Sequence, residues 1–272
     1  MDEHANSGNR PPVATGFDFT DSKIVVVGGT SGVGLATAVG FARSGARQLV
    51  LVGRNEQRGK QAVETVAEAS PAGAPEFLSA DVNEPGRADE VIAAAGRRMG
   101  GLDVLVNSTV AVYQPTLLHD TEIDAIPAIL LQQALGPILT SRAAVRIMRE
   151  QRHGVIINIA SDAAKVPTPG ECVIGAAMAA IVTFSRTLAV EAKRYGVRVN
   201  TITPSLIANT GSFDRAMSLE FSRKIFEKIT AQAHLGLTEP EDLANTILFL
   251  ASSLAANITG QVVSVNGGIS VA

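Results

Sequence analysis

A chain of 272 residues, 46% of them apolar, with a net charge of −3, is long enough to bury an α/β core. With the charge this near balance and no run of basic residues, nucleic acid and anionic membrane surfaces are poor partners. The lone cysteine, Cys172, excludes an internal disulfide framework and suits a reducing cytoplasm.

Residues 1–20 are polar, carry Pro11-Pro12 and lack the apolar segment of a signal peptide. They read as a flexible tail ahead of a single domain over residues 21–272. No apolar stretch reads as long and unbroken enough to span a bilayer. Short β-branched runs at 23–28, 48–52, 76–79, 104–107, 155–159, 198–202 and 262–265 predict strands. Helical patterns fall between them at 33–44, 56–68, 85–99, 122–151, 173–195 and 240–252. This alternation predicts a Rossmann-like, doubly wound α/β fold with a mainly parallel seven-stranded sheet and helices on both faces. The near-continuous apolar strands agree, because such a sheet is covered on both sides. Pro127 and Pro137 predict a break in the fourth helix, since proline removes an amide donor and crowds the preceding turn. Over 209–235, Phe213, Met217, Phe221, Ile225, Phe226 and Ile229 recur at near-helical spacing. The segment reads either as an amphipathic lid over a substrate or as a helix packed on the core.

Gly28-Gly29-Thr30-Ser31-Gly32-Val33-Gly34 follows the first strand and opens the first helix, the context that gives a glycine string meaning. Gly28 permits a tight turn, Gly32 a close approach of backbone to pyrophosphate, and Gly34 close helix–strand packing. Asp81-Val82 follows the third strand, Asn107 ends the fourth, and Pro204 follows the sixth. In these residues the chain resembles the short-chain dehydrogenases/reductases over nearly its whole length. The resemblance implies that Thr30, Ser31, Gly32, Val33 and Gly34 cradle a dinucleotide. It further implies that Asp81 and Val82 hold the adenine, with Asn107, Pro204 and Ile207 on the nicotinamide side. The second strand ends in Gly53-Arg54, without a carboxylate before Glu56. An arginine there suits a 2′-phosphate, so NADP(H) is expected in preference to NAD(H). The pattern departs from the family at Val27, at Ser108-Thr109-Val110 and at Ser205, positions that support the nicotinamide side.

The family protonates an alkoxide with Tyr-x-x-x-Lys, and the matching residues here read Ile174-Gly175-Ala176-Ala177-Met178. Ser161, thirteen residues before Ile174, fills the serine place, and Gln133 fills that of the helix asparagine. A positioned general acid contributes ~10²–10⁴ in rate, so its loss bears directly on the reaction. Ile174 and Met178 stand four apart and share a helix face, which predicts an apolar pocket wall. Asp162 and Leu206 are expected to line the same pocket. Substitute donors are Tyr113, the one tyrosine close behind the fourth strand, and a water held by Ser161; Asp162 is a candidate base. Glu171 and Cys172 are explained as well by helix capping and packing. His4, His119, His153 and His234 are scattered, which predicts no metal site, and no G-x-S-x-G elbow surrounds Ser161. The leading expectation is a non-redox step (cyclisation, isomerisation or elimination) on a small apolar metabolite, polarised by Ser161 and Gln133. The alternatives are an NAD(P)(H)-dependent oxidoreductase with a substitute donor, and a non-catalytic dinucleotide- or partner-binding protein. The composition predicts a cytoplasmic protein, and the resemblance also implies a homodimer or homotetramer assembled through the fourth and fifth helices.

Overall fold

Val25, Val26 and their neighbours in the first strand alternate between two cores. Ile24 and Val26 face Phe41, Leu243 and Leu248, whereas Val25 and Val27 face Ile92, Met148 and Leu188. A side-chain period of two sends each run to both faces, which is why these strands must be apolar throughout. The computed structural model describes residues 16–70, 72–109 and 111–272. The strands are β1 (Lys23–Val27), β2 (Gln48–Gly53), β3 (Glu76–Ser79), β4 (Val104–Asn107), β5 (Gly154–Ile159), β6 (Val197–Thr203) and β7 (Val262–Ser264). They form one sheet in the order β3-β2-β1-β4-β5-β6-β7, every pair parallel. Helices α1 (Gly32–Arg43), α2 (Glu56–Ala69), α3 (Pro85–Met99), α4 (Ala125–Gln151), α5 (Cys172–Ala192), α6 (Gly211–Ser218), α7 (Glu220–Thr230) and α8 (Pro240–Ala251) complete it. The winding reverses between β1 and β4, so a crevice opens beyond their carboxyl ends.

Three expectations are corrected. The tail does not extend to residue 20: Phe19 is buried, its amide donates to Ser44 O at 2.9 Å, and its ring meets Phe41 edge-on. Two phenylalanines in an otherwise polar segment anchor it to the α1 core, with Phe17 packed beside Phe19.

The fourth helix is not broken either. Pro127 lies in the first turn of α4, where the amide has no helical partner to lose. Pro137 lies inside the helix, and side chains support its turn. The Thr140 hydroxyl lies 2.8 Å from Gly136 O, and Asn107 Nδ2 reaches Pro137 O at 3.5 Å.

The segment 209–235 forms two helices joined at Leu219, whose extended backbone separates them. Leu206, Ala216 and Phe226 cluster there with Phe213, Met217, Ile229 and Leu237, apart from the two main cores.

One stretch, Cys172–Tyr195, is long and apolar enough to cross a membrane, contrary to the expectation. Here it serves as an inner helix: Ile181, Leu188 and Ala189 are buried against the sheet and its neighbours.

Candidate active site

The loop from β1 into α1 is shaped by two glycines that touch backbone. A Cβ on Gly28 would lie 2.4 Å from Ser108 O, and Gly28 has a φ of +78°. A Cβ on Gly34 would lie 2.2 Å from Gly28 O. Gly32 differs: its φ is +50°, and the nearest atom to a Cβ there is the Thr210 methyl at 3.8 Å. Space is therefore kept above Gly32 and not above its neighbours. Ser31, extended at the N-cap of α1, makes no side-chain cap, and the first turn carries no acidic residue. The amides of that turn lie beyond the reach of intrahelical acceptors and carry the positive end of the helix dipole. Thr30 lies over the end of β2, its methyl 2.9 Å from where a Gly53 Cβ would stand, while Val33 is buried. This arrangement fits a dinucleotide pyrophosphate.

At the adenosine end, Arg54 reaches Asp81 Oδ2 at 3.5 Å, with about two-thirds of its side chain exposed. Asp81 Oδ1 accepts from Asn83 N at 3.0 Å, and Asn83 Oδ1 in turn accepts from Gly136 N at 3.0 Å. Val82 is buried between them. Asn107 lies wholly in a polar seam: its Nδ2 donates to Asn158 Oδ1 at 2.8 Å and to Ser141 Oγ at 3.2 Å. Thr140 shares its hydroxyl with Asn107 Oδ1 at 2.7 Å. Asn107 thus stitches β4, β5 and α4 together beneath the crevice. Pro204 O accepts from Asp162 N at 2.7 Å, and Ile207 pairs with Thr238 in an isolated bridge. Thr210 donates to Ile207 O at 2.7 Å, which brings the start of α6 over Gly32. Sequence reasoning missed Thr210, although a threonine three residues before Phe213 could have pointed to a helix cap.

The chemical residues sort differently. Ser161, partly buried at the end of β5, accepts from Ala163 N at 3.2 Å, which fixes its oxygen and leaves its proton to donate. Gln133 is buried, and both ends of its amide pair with the backbone of Ala111, at 3.4 and 3.3 Å. It holds the loop after β4, where it was expected to polarise substrate. Asp162 does not line an open pocket as expected: it is 5% exposed, and its Oδ2 takes hydrogen bonds from Asn266 and Ser270. The C-terminal segment covers it, and Lys165 stands 3.9 Å from its Oδ1. Burial pushes the Lys165 ammonium pKa down, an effect that Asp162 opposes. Met178 is 6% exposed in a cluster with Ala134, Ala177 and Ile181, with Ile138 packed against it. It belongs to the α4–α5 seam, while Ile174 is only half-buried. Leu206, expected in the pocket, is buried beneath α6 and α7. Val110, one of the departures from the family pattern, lies outside the described residues.

Tyr113 follows β4 and its hydroxyl donates to Gly170 O. Burial raises its pKa, and the nearby Glu171 raises it further. Burial likewise pushes the Glu171 carboxyl above its ordinary range, with Thr168 hydrogen bonding working the other way. The order of causes at both groups makes the corner between them a weakly solvated one. The nearness of Glu171 to Tyr113 is what sequence position alone did not reveal.

Residues 27–270 match the family model described as enoyl-(acyl carrier protein) reductase. An uncharacterized oxidoreductase of Thermotoga maritima is 30% identical, over 93% of this chain and 98% of its own. A 2-(S)-hydroxypropyl-CoM dehydrogenase of Xanthobacter autotrophicus is 31% identical, over 90% of this chain and 95% of its own. The crystal structure of levodione reductase superposes with a TM-score of 0.86 at 28% identity, over 92% of this chain and 98% of that one.

Proposed function

The chain belongs to the short-chain dehydrogenase/reductase superfamily, and from that premise we propose that it is an NAD(P)(H)-dependent oxidoreductase. It would interconvert a carbonyl and an alcohol on a small apolar molecule, using a proton donor other than the tyrosine–lysine pair. The observation that carries this reading is the glycine loop: Gly28 and Gly34 are closed against backbone, and Gly32 is left open. A bound nicotinamide supplies or accepts hydride. The chain's own part is to hold the dinucleotide on the amides of α1, to polarise the reacting oxygen with Ser161, and to move a proton. Ile174 and Met178 supply neither a proton nor a cation. Arg54 at the rim of the adenosine end supports NADP(H) over NAD(H). The named relatives are dehydrogenases and reductases, which favours redox chemistry over the expected cyclisation, isomerisation or elimination, and over a non-catalytic role. A cytoplasmic homo-oligomer completes the proposal, supported by exposed apolar side chains on α4 and α5, Leu131 and Val190. Stopped-flow oxidation of NADPH with a panel of apolar ketones tests the function. Tight NADPH binding without any hydride transfer would sink it.

A further inference from the structure

Glu171 stands immediately before α5, one helical turn ahead of Ile174. Its side chain makes no cap hydrogen bond to the helix it precedes. The residue before Glu171, Gly170, is held by two other segments, the loop after β4 and α7. A Cβ on the adjacent Gly170, whose φ is +86°, would meet the Phe221 ring at 3.1 Å and Pro115 at 3.3 Å. Gly170 O also receives the amide of Thr116 at 3.0 Å and the hydroxyl of Tyr113. Gln114 Nε2 donates to Ser222 Oγ at 3.0 Å, tying the loop after β4 to α7. The loop after β4 and α7 therefore converge on Gly170, immediately before Glu171. From the other side, Gly175 N donates to Glu171 O at 2.7 Å. A Cβ on Gly175 would lie 2.9 Å from Ala163 O, in the turn whose N-cap is Ser161. The turn capped by Ser161 and the backbone of Glu171 thus meet through Gly175.

We propose that Glu171 is the general acid and base of this site, giving the substrate oxygen the proton that Ile174 cannot give. The assignment rests on the oxidoreductase reading above. The reductant is a reduced nicotinamide dinucleotide. As its hydride forms a new C–H bond at the carbonyl carbon, the C=O π pair moves onto oxygen. The Glu171 O–H bond breaks, its proton forms the alcohol O–H, and its electron pair stays on the carboxylate. Ser161 donates a hydrogen bond to the same oxygen throughout. Water at the partly exposed rim returns the proton, and alcohol oxidation runs the same sequence in reverse. The carboxyl suits this work because its burial favours the protonated form, against the pull of the helix dipole toward the ionised one.

The test uses the full chain, NADPH, and acetophenone and cyclohexanone as probes. Glu171→Gln is expected to lower kcat for reduction by ~10²–10⁴ with little change in KM. The ionisation that wild type shows in its pH profile should disappear, and Glu171→Asp should recover part of the rate. In cofactor-free protein, a carbon-13 titration of glutamate carboxyls should show one resonance titrating above the rest, absent from Glu171→Gln. Unchanged NADPH affinity in that variant shows that the fold and the dinucleotide site are intact. A wild-type rate and pH profile in a turning-over Glu171→Gln would overturn the assignment and leave the oxidoreductase reading standing. So would a Glu171 resonance titrating in the ordinary glutamate range. NADPH binding with no hydride transfer by wild type would overturn both.

Discussion

The carbonyl oxygen of Gly28 lies 2.2 Å from where a Cβ on Gly34 would stand, so α1 meets the turn beyond β1 with only hydrogen between them. Gly34→Ala must therefore push helix and turn apart, at an overpacking cost of ~1–3 kcal/mol or more. Gly32→Ala meets open space and carries only the penalty of its left-handed backbone, ~1–2 kcal/mol. Yet its methyl would stand where a phosphate approaches. Calorimetry with NADPH titration should find Gly34→Ala the less stable of the two. Gly32→Ala should be at least 10-fold weaker toward NADPH, by the measure that 1.4 kcal/mol is tenfold. Wild-type affinity in Gly32→Ala would remove the phosphate role from this loop.

What the sequence made legible was local. The glycine string, the apolar strands and the order of elements all depend on neighbours along the chain, and the parallel sheet followed from them. What it hid depends on distant partners. Asp162 looks like an available base until Asn266 and Ser270 cover it, and Met178 looks like a pocket wall until the α4–α5 seam closes over it. Pro137 breaks a helix in isolation, but Thr140 and Asn107 support its turn. Glu171 reads as a cap until Tyr113 is brought beside it by the loop after β4.

Arg54 and Asp81 stand 3.5 Å apart at a well-solvated rim, so their pairing contributes ~0–1 kcal/mol to stability. Arg54→Ala should leave the melting temperature almost unchanged. It should weaken NADPH by the value of a charge-assisted hydrogen bond, about 1.5–3 kcal/mol, and leave NADH untouched. The wild-type advantage of NADPH over NADH should shrink as salt is raised. Parallel losses for the two cofactors would show that Arg54 does not read the 2′-phosphate.

Asn107 is 1% exposed, and its amide is shared among Asn158, Ser141 and Thr140. Asn107→Ala would leave these buried partners short of a donor or an acceptor, at ~1–3 kcal/mol for each group left unsatisfied. A clear drop in chemical-denaturation midpoint is expected. A variant as stable as wild type would mean that the seam repairs itself through water.

Restoring Tyr-x-x-x-Lys separates packing from chemistry. Met178→Lys buries an ammonium in the apolar α4–α5 seam and should destabilise the fold markedly, whereas Ile174→Tyr, at a half-buried position, should cost less. The paired variant should reduce acetophenone at least 10-fold faster than wild type, within the range of a regained general acid. In that background Glu171→Gln should then cost little, because a second donor serves the same oxygen. A full Glu171→Gln loss in the paired variant would mean that the tyrosine does not reach the reacting atom.

The carboxyl of Glu171 also predicts how stability follows pH. Burial raises its folded-state pKa above the ordinary 4.5, so folding favours its neutral form. A group raised in this way contributes its full stability below the unfolded value and loses it as pH climbs through the folded one. Glu171→Gln keeps a neutral amide of similar shape at every pH. Wild type and variant should therefore be closest in stability at acid pH, with wild type falling behind from about 4.5 upward until the carboxyl is ionised. Reduction by wild type should slow over the same upper limb, since the proton to be donated is lost there, while alcohol oxidation should speed up. Urea denaturation of both proteins across that range measures the first effect, and initial rates in the two directions measure the second. If the difference in stability runs the other way, widening toward acid, then Glu171 is held as a carboxylate and is no reservoir for the proton.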